Sequence, residues 1–320
     1  MSIVVTGSVA FDYLMSFPGR FSDHILPDQI QHISLSILVD SMRKERGGCA
    51  PNIAYSLALL GERPTVMATV GRDFDEYRAW LEQAGVDTSV MVAIEDEFTA
   101  SCFINTDRDN NQIVSFYSGA MRRADQLSFH DLDDVEIAII SPNAPAAMVK
   151  YARECQELGI PYIYDPSQQI VWLSGEELLA GSRGAKVLIC NEYEFGMIKK
   201  KTGLSDEELL ALPQATVITR GAEGSTIYAD GQELSIPAVP PEPLAEPTGV
   251  GDAYRAGLIK GLRHGLPWET TGRIAALAAA YVLEQYGTQA HRYTRQEFVD
   301  RYTRTFGRTP QLEAIMLGTK

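Results

Sequence analysis

Cysteine is scarce in this chain: four among 320 residues, namely Cys49, Cys102, Cys155 and Cys190. No two of them share CxxC spacing, which argues against a metal knuckle or dithiol redox motif. Free thiols in a reducing cytosol are the expectation. Histidine is nearly as rare, and the five (His24, His32, His130, His264, His291) show no metal-ligand spacing. Positive charge is in deficit, with 28 Lys and Arg against 42 Asp and Glu, a net charge of −14. Such a surface repels nucleic-acid backbones and anionic membranes, so neither is an expected partner. A phosphorylated ligand would have to be held by local groups. Long apolar runs are missing too. The longest, Ile274–Leu283, sits between Arg273 and Glu284 and is too short to span a bilayer. Met1–Ser8 lacks the basic region and long apolar stretch of a secretory signal. No GxxxxGK[ST] phosphate loop occurs, which excludes a P-loop enzyme.

What the chain does contain is alternation. Short apolar runs at Val4–Gly7, Pro64–Val70, Val135–Ser141, Tyr162–Asp165, Lys186–Asn191 and Thr216–Thr219 read as strands. Helical stretches lie between them, such as Pro51–Leu60 before Gly61 and Asp73–Ala84 before Gly85. Strand after helix after strand predicts an α/β fold, a mostly parallel sheet covered on both faces. Two stretches break the rhythm. One is Ile33–Val39 with the basic Met42–Arg46 after it. The other is Thr99–Asp107 and Gln112–Ser118, joined by an Asn/Asp turn as a hairpin. These are expected in a small separate sheet that acts as a lid. From Gly251 onward the chain reads as helical.

The most informative segment is Glu246-Pro-Thr-Gly249-Val250-Gly251-Asp252-Ala-Tyr-Arg-Ala-Gly257. Its glycines precede an amphipathic helix carrying Ala253, Leu258, Ile259 and Leu262. Glycine lets successive N–H groups converge at a helix N-terminus, where the dipole also favours negative charge. Gly249, Val250 and Gly251 therefore predict an anion hole for a phosphoryl group in transfer. Asp252 at its mouth is a candidate base for an attacking hydroxyl. An Asp capping a helix after a Gly-rich turn would look the same when taken alone. The dinucleotide pattern GxGxxG fails, because Tyr254 stands at the sixth place.

The string TGVGDAYRAG resembles the C-terminal signature of the ribokinase (PfkB) carbohydrate kinase family, and three further segments agree in order. Gly47-Gly48-Cys49-Ala50-Pro51-Asn52 is similar to the N-terminal double-glycine signature, Asn191-Glu192-Tyr193-Glu194 to the N-x-x-E element, and Thr219–Gly224 to the nucleotide loop. The resemblance runs from residue 3 to about residue 305. It implies a ribokinase-like three-layer α/β/α fold, one kinase domain over 1–320 with a β lid formed by about 10–46 and 97–120. It implies that Ser8, Asp12, Gly47, Gly48 and Asn52 hold sugar hydroxyls, and that Asn191, Thr219, Gly221 and Gly224 bind ATP. Glu194 would act on Mg²⁺ through water.

Within the family, Asp165-Pro-Ser-Gln-Gln169 and Glu284–Gln289 resemble the bacterial adenosine kinases of mycobacterial type. That implies ATP and adenosine as substrates, with Phe116 stacking on the base and Gln168 and Gln169 along its edge. Cys102 stands where that branch places a second stacking aromatic, with Phe103 beside it. Glu246 stands where most of the family has Asp beside a monovalent-cation site, which leaves K⁺ dependence open. The lid's exposed strand edges and the branch together imply a homodimer through the lids. Two alternatives stay open: a broad nucleoside or free-sugar kinase, and a non-catalytic nucleotide-binding protein on the same fold.

Overall fold

The structure is a computed structural model and describes residues 2–25, 31–32, 34–245 and 247–318. Its first strand, β1 (Ser2–Thr6), leads into β2 (Ala10–Ser16), β3 (Ser41–Gly47) and helix α1 (Cys49–Leu59). Then follow β4 (Pro64–Met67), β5 (Thr69–Gly71), α2 (Asp75–Gln83), β6 (Val92–Ile94), β7 (Ala100–Thr106) and β8 (Gln112–Tyr117). The middle of the chain alternates: β9 (Val135–Ile140), α3 (Pro145–Leu158), β10 (Tyr162–Tyr164), α4 (Gly175–Ser182), β11 (Val187–Asn191), α5 (Glu192–Thr202), α6 (Asp206–Leu210) and β12 (Ala215–Thr219). A hairpin, β13 (Ser225–Ala229) and β14 (Gln232–Ile236), precedes four helices: α7 (Val250–Arg263), α8 (Trp268–Leu283), α9 (Arg295–Phe306) and α10 (Pro310–Leu317).

The main sheet has the order β14-β13-β12-β11-β10-β9-β1-β4. Its six strands from β4 to β12 are parallel. They are short and apolar because both faces are covered. Ile53 and Leu57 of α1, Leu258 of α7, Leu277 of α8 and Phe298 of α9 pack on one face. Met148 of α3, Leu178 of α4 and Ile198 of α5 pack on the other. This is the ribokinase-like three-layer α/β/α arrangement. The β13–β14 pair is antiparallel and had no counterpart in the sequence reading. Its signal was present: Asp230-Gly231 at the turn takes φ of 52° and 71°, the left-handed pair that joins hairpin strands.

A second sheet, β3-β2-β7-β8, is made by the segments expected to form the lid. Here the expectation for Ile33–Val39 is corrected. Ile33 lies outside the described residues, and 34–39 form no strand. The lid strand is the basic segment itself, β3, paired with β2 from Ala10↔Gly47 to Ser16↔Ser41. A lid exposed on both faces needs no apolar run, so hydrophobicity pointed to the wrong neighbour. Two boundaries also move. The strand expected over 64–70 breaks at Ala68, and β5 leaves the main sheet to pair with β6. α1 starts at Cys49, two residues early; Pro51 is tolerated there because first-turn N–H groups have no intrahelical partner.

Candidate active site

The carboxyl ends of β1, β10, β11 and β12 lie along one edge of the sheet and are followed by Ser8, Asp165, Asn191 and Thr219 or its neighbours. Open α/β sheets bind ligands at this edge. α7 begins above it. Gly249, its N-cap, has φ of 84°, and a Cβ there would lie 3.1 Å from Thr288, so no other residue suits the position. Gly251 and Asp252 follow in the first turn, where N–H groups take no intrahelical partner. The Val250 N–H is different: it reaches Pro247 O at 3.4 Å in a turn. Of the three expected anion-hole donors, Val250 has a competitor.

Asp252 is half-buried, and its Oδ2 accepts a hydrogen bond from Asn52 Nδ2 at 2.9 Å. Burial raises its pKa to about 7; Asp165 and Asp12 push the same way, while Arg255 and Asn52 pull down. A carboxylate poised near neutrality suits proton abstraction. Asn52, expected to touch sugar, thus has a task at the candidate base.

Two residues escaped the sequence reading. Arg255, one turn beyond Asp252, pairs through Nε and Nη2 with both oxygens of Asp165, the Nη2–Oδ1 distance being 2.6 Å. Its Nη1 donates to Gly251 O at 2.8 Å. Asp165 is 1% exposed and Arg255 9%. Burial pushes the Asp165 carboxyl up against the pull of Arg255. Burial opposes the guanidinium's charge, but Asp165 outweighs it and holds Arg255 protonated. The signal was an arginine among Ala253, Tyr254 and Ala256, all buried; a buried arginine requires an acid partner.

The residues expected to hold sugar lie on and beside the small sheet. Gly47 has no side chain because the Asp12 carboxylate occupies the place a Cβ would take. Asp12 lines a cavity of ≈ 510 Å³ with Arg43, Glu45, Thr248, Gly287 and Thr288. Glu45, Asp12, Cys102 and Phe116 face each other in register across the four strands, a single row on one side of the lid. Phe116 is 53% exposed. Phe103 points to the opposite side and stacks on Tyr13 at 4.8 Å. It therefore does not complete an aromatic pair with Phe116. Ser8 Oγ accepts from Cys49 N at 3.1 Å and ties the end of β1 to the start of α1 beside Gly48. Burial pushes the Cys49 thiol well up, consistent with a small filler.

A separate cleft of ≈ 160 Å³ lies beside the first turn of α7. Thr219, Gly221 and Gly224 line it together with Val250, Gly251 and Tyr254. The segments expected to form the nucleotide loop and the anion hole thus line one space. Asn191 and Glu194 form a capping box at α5: Glu194 N donates to Asn191 Oδ1, and Asn191 N to Glu194 Oε2, both at 2.8 Å. Ser167 Oγ also donates to Glu194 Oε1 at 3.2 Å. Gln168 and Gln169 follow Ser167 beside Glu194 and do not line the Asp12 cavity. Among the described residues no group of three or more His, Cys, Asp or Glu is placed to cage a metal. The carboxylate expected to act on Mg²⁺ is thus the single Glu194, and one carboxylate suits an ion that keeps most of its water. Glu246 lies outside the described residues.

The profile of the pfkB family carbohydrate kinases matches residues 9–295. A nucleoside kinase of Methanothermobacter thermautotrophicus is 32% identical, over 97% of this chain and 98% of that protein. The structure of a Burkholderia thailandensis nucleoside kinase in complex with inosine is 38% identical, with a TM-score of 0.87 over 96% of this chain and 99% of that one. The nucleoside kinase of Methanocaldococcus jannaschii, described as an archaeal member of the ribokinase family, is 29% identical with a TM-score of 0.85 over 95% and 99%.

Proposed function

The chain belongs to the pfkB family of carbohydrate kinases, and we propose that within it the protein is an ATP-dependent nucleoside kinase that accepts more than one base. The observation that carries this reading is the Asn52–Asp252 hydrogen bond. It joins the start of α1, just after the double-glycine loop beside Asp12, to the first turn of α7, so that a sugar held by one would face the base and anion hole of the other.

In the reaction so read, Asp12 holds ribose hydroxyls. The 5′-hydroxyl gives its proton to Asp252 as its oxygen attacks the γ-phosphorus of ATP. The bond from γ-phosphorus to the bridging oxygen breaks, and ADP leaves. N–H groups of the first turn of α7 meet the charge on the equatorial oxygens. Arg255 fixes that turn through the Gly251 carbonyl. Glu194 would hold Mg²⁺ through water, and the ion would supply charge neutralisation for the phosphates.

Adenosine is one acceptor in this proposal. The narrower adenosine-specific reading needs a tight base slot, and the features for one are weak. Phe103 faces away, Cys102 replaces the second aromatic, and the two glutamines stand outside the Asp12 cavity. A single half-exposed phenyl ring stacks on any base. The inosine held by the Burkholderia enzyme supports breadth. The test is an ADP-release assay with ATP and Mg²⁺ against adenosine, inosine, guanosine, cytidine, ribose and fructose. Turnover on several nucleosides above both free sugars is expected; turnover on adenosine alone would restore the narrower reading, and on sugars alone would remove the nucleoside.

A further inference from the structure

We propose that Trp80 and Gln289 are positioning residues that polarise Asn52, so that it presents an N–H and not a carbonyl oxygen to Asp252. Resting on the reading of Asp252 as the base, the inference begins from an ambiguity. A primary amide has a donor end and an acceptor end, and either could face a carboxylate.

The neighbours remove that ambiguity. The Trp80 indole, which can only donate, gives its Nε1–H to Gln289 Oε1 at 2.9 Å. That places the Gln289 NH₂ on the far side, where it donates to Asn52 Oδ1 at 2.9 Å and to the Tyr77 hydroxyl. Tyr77 independently demands the same orientation. Its single proton goes to Gly47 O at 3.0 Å, so it can only accept from Gln289. With its oxygen engaged by Gln289, Asn52 has its NH₂ turned to Asp252 Oδ2. Three side chains at positions 80, 289 and 52 thus pass one polarity to the reacting carboxylate. Asn52 and Gln289 are 4% and 6% exposed, so water does not readily replace either partner. The indole is itself held, stacked against Tyr55 at 6.1 Å with the Arg46 guanidinium 4.3 Å from its ring centre.

The consequence is chemical. A donor at Oδ2 favours the ionised carboxylate, which is the form that takes a proton. It opposes the burial that pushes Asp252 up. The other charged or titratable groups that act on Asp252 are Arg255 on α7, Asp165 after β10, Asp12 on β2, Cys49 on α1 and Tyr77 on α2. Of these only Tyr77 touches residue 289, and Trp80→Phe leaves that contact in place.

The test is the pH profile of kcat/KM for nucleoside phosphorylation by the intact protein. Gln289→Glu offers Asn52 an acceptor in place of a donor, which should turn the Asn52 amide and set its oxygen against Asp252. The acid limb should rise by about 1–2 pH units, the worth of a hydrogen bond to a charged group. Trp80→Phe keeps an aromatic ring, adds no charge, and removes one of the two groups that orient the Gln289 amide, leaving Tyr77 as the other. Its limb should rise by about half a unit or more, with kcat/KM near wild type at high pH. If Gln289→Glu does not fold, Trp80→Phe carries the test. A uniform loss at every pH, with the limb unmoved, would make the chain of amides merely structural and overturn the proposal. The underlying reading fails differently: the wild type would not turn over nucleosides, or Asp252→Asn would stay active.

Discussion

Replacing Asp252 with Asn should remove activity and raise stability together. The amide keeps the shape of the carboxylate and can still accept the hydrogen bond from Asn52 Nδ2. It cannot take the hydroxyl proton, so kcat should fall about 10²–10⁴-fold, or about 3–5 kcal/mol of barrier. Stability follows from the raised pKa. Between the ordinary value of 3.8 and about 7, the folded protein keeps the Asp252 proton while the unfolded chain has lost it. Stability from this group is therefore full below pH 3.8 and is lost as pH climbs through 7. That interval corresponds to about 4 kcal/mol for a carboxylate sealed from water. Asp252 is only half-buried, and roughly half of that, about 2 kcal/mol, is the expected penalty at pH 8. The Asn variant escapes it. Its melting temperature at pH 8 should exceed wild type by roughly 4 °C, and the gap should close toward pH 4. Melts at both pH values beside a coupled ADP assay would measure this. Near-normal turnover, or a variant less stable than wild type at pH 8, would refute the reasoning.

Other changes separate the parts of the site. Arg255→Met leaves the Asp165 carboxylate, 1% exposed, without its partner and should cost about 3–5 kcal/mol in denaturant unfolding; adding Asp165→Asn should restore much of it. Gly47→Ala drives a methyl into the Asp12 carboxylate, so the KM for nucleoside should rise about tenfold or more, while melting and the KM for ATP change little. Phe116→Ala removes the stacking ring from the lid and should weaken nucleosides about 3–10-fold, as read from KM, without affecting free ribose.

The site was more legible than its supports. The run Gly249-Val250-Gly251-Asp252 stands out only in company with the other three segments, since alone it reads equally as a helix cap, and the capping box at Asn191 and Glu194 is a local pattern. Strand ends follow from apolar runs, which is why Thr219 could be expected at the end of β12, whereas Asp12, expected just after β1, lies inside lid strand β2. Three things were not visible. The lid strand β3 is polar on both sides and gives no hydrophobic period. The β13–β14 hairpin is marked only at its Asp230-Gly231 turn, because the mostly exposed β14 carries no apolar run. The chain from Trp80 through Gln289 to Asn52 joins residues 209 and 237 positions apart, and no local spacing encodes it. Polar groups that act in series across a fold are a tertiary fact. Arg255 lies between these cases, since its burial was predictable from the helix face while its partner was not.

The most direct measurement is phosphorus NMR of the products when ATP and Mg²⁺ are supplied with equal amounts of adenosine, inosine, guanosine, cytidine and ribose. The account predicts phosphorus coupled to 5′-methylene protons on more than one nucleoside, with little ribose phosphate. Ribose phosphate as the dominant product, or phosphate on any hydroxyl other than the 5′, would contradict it.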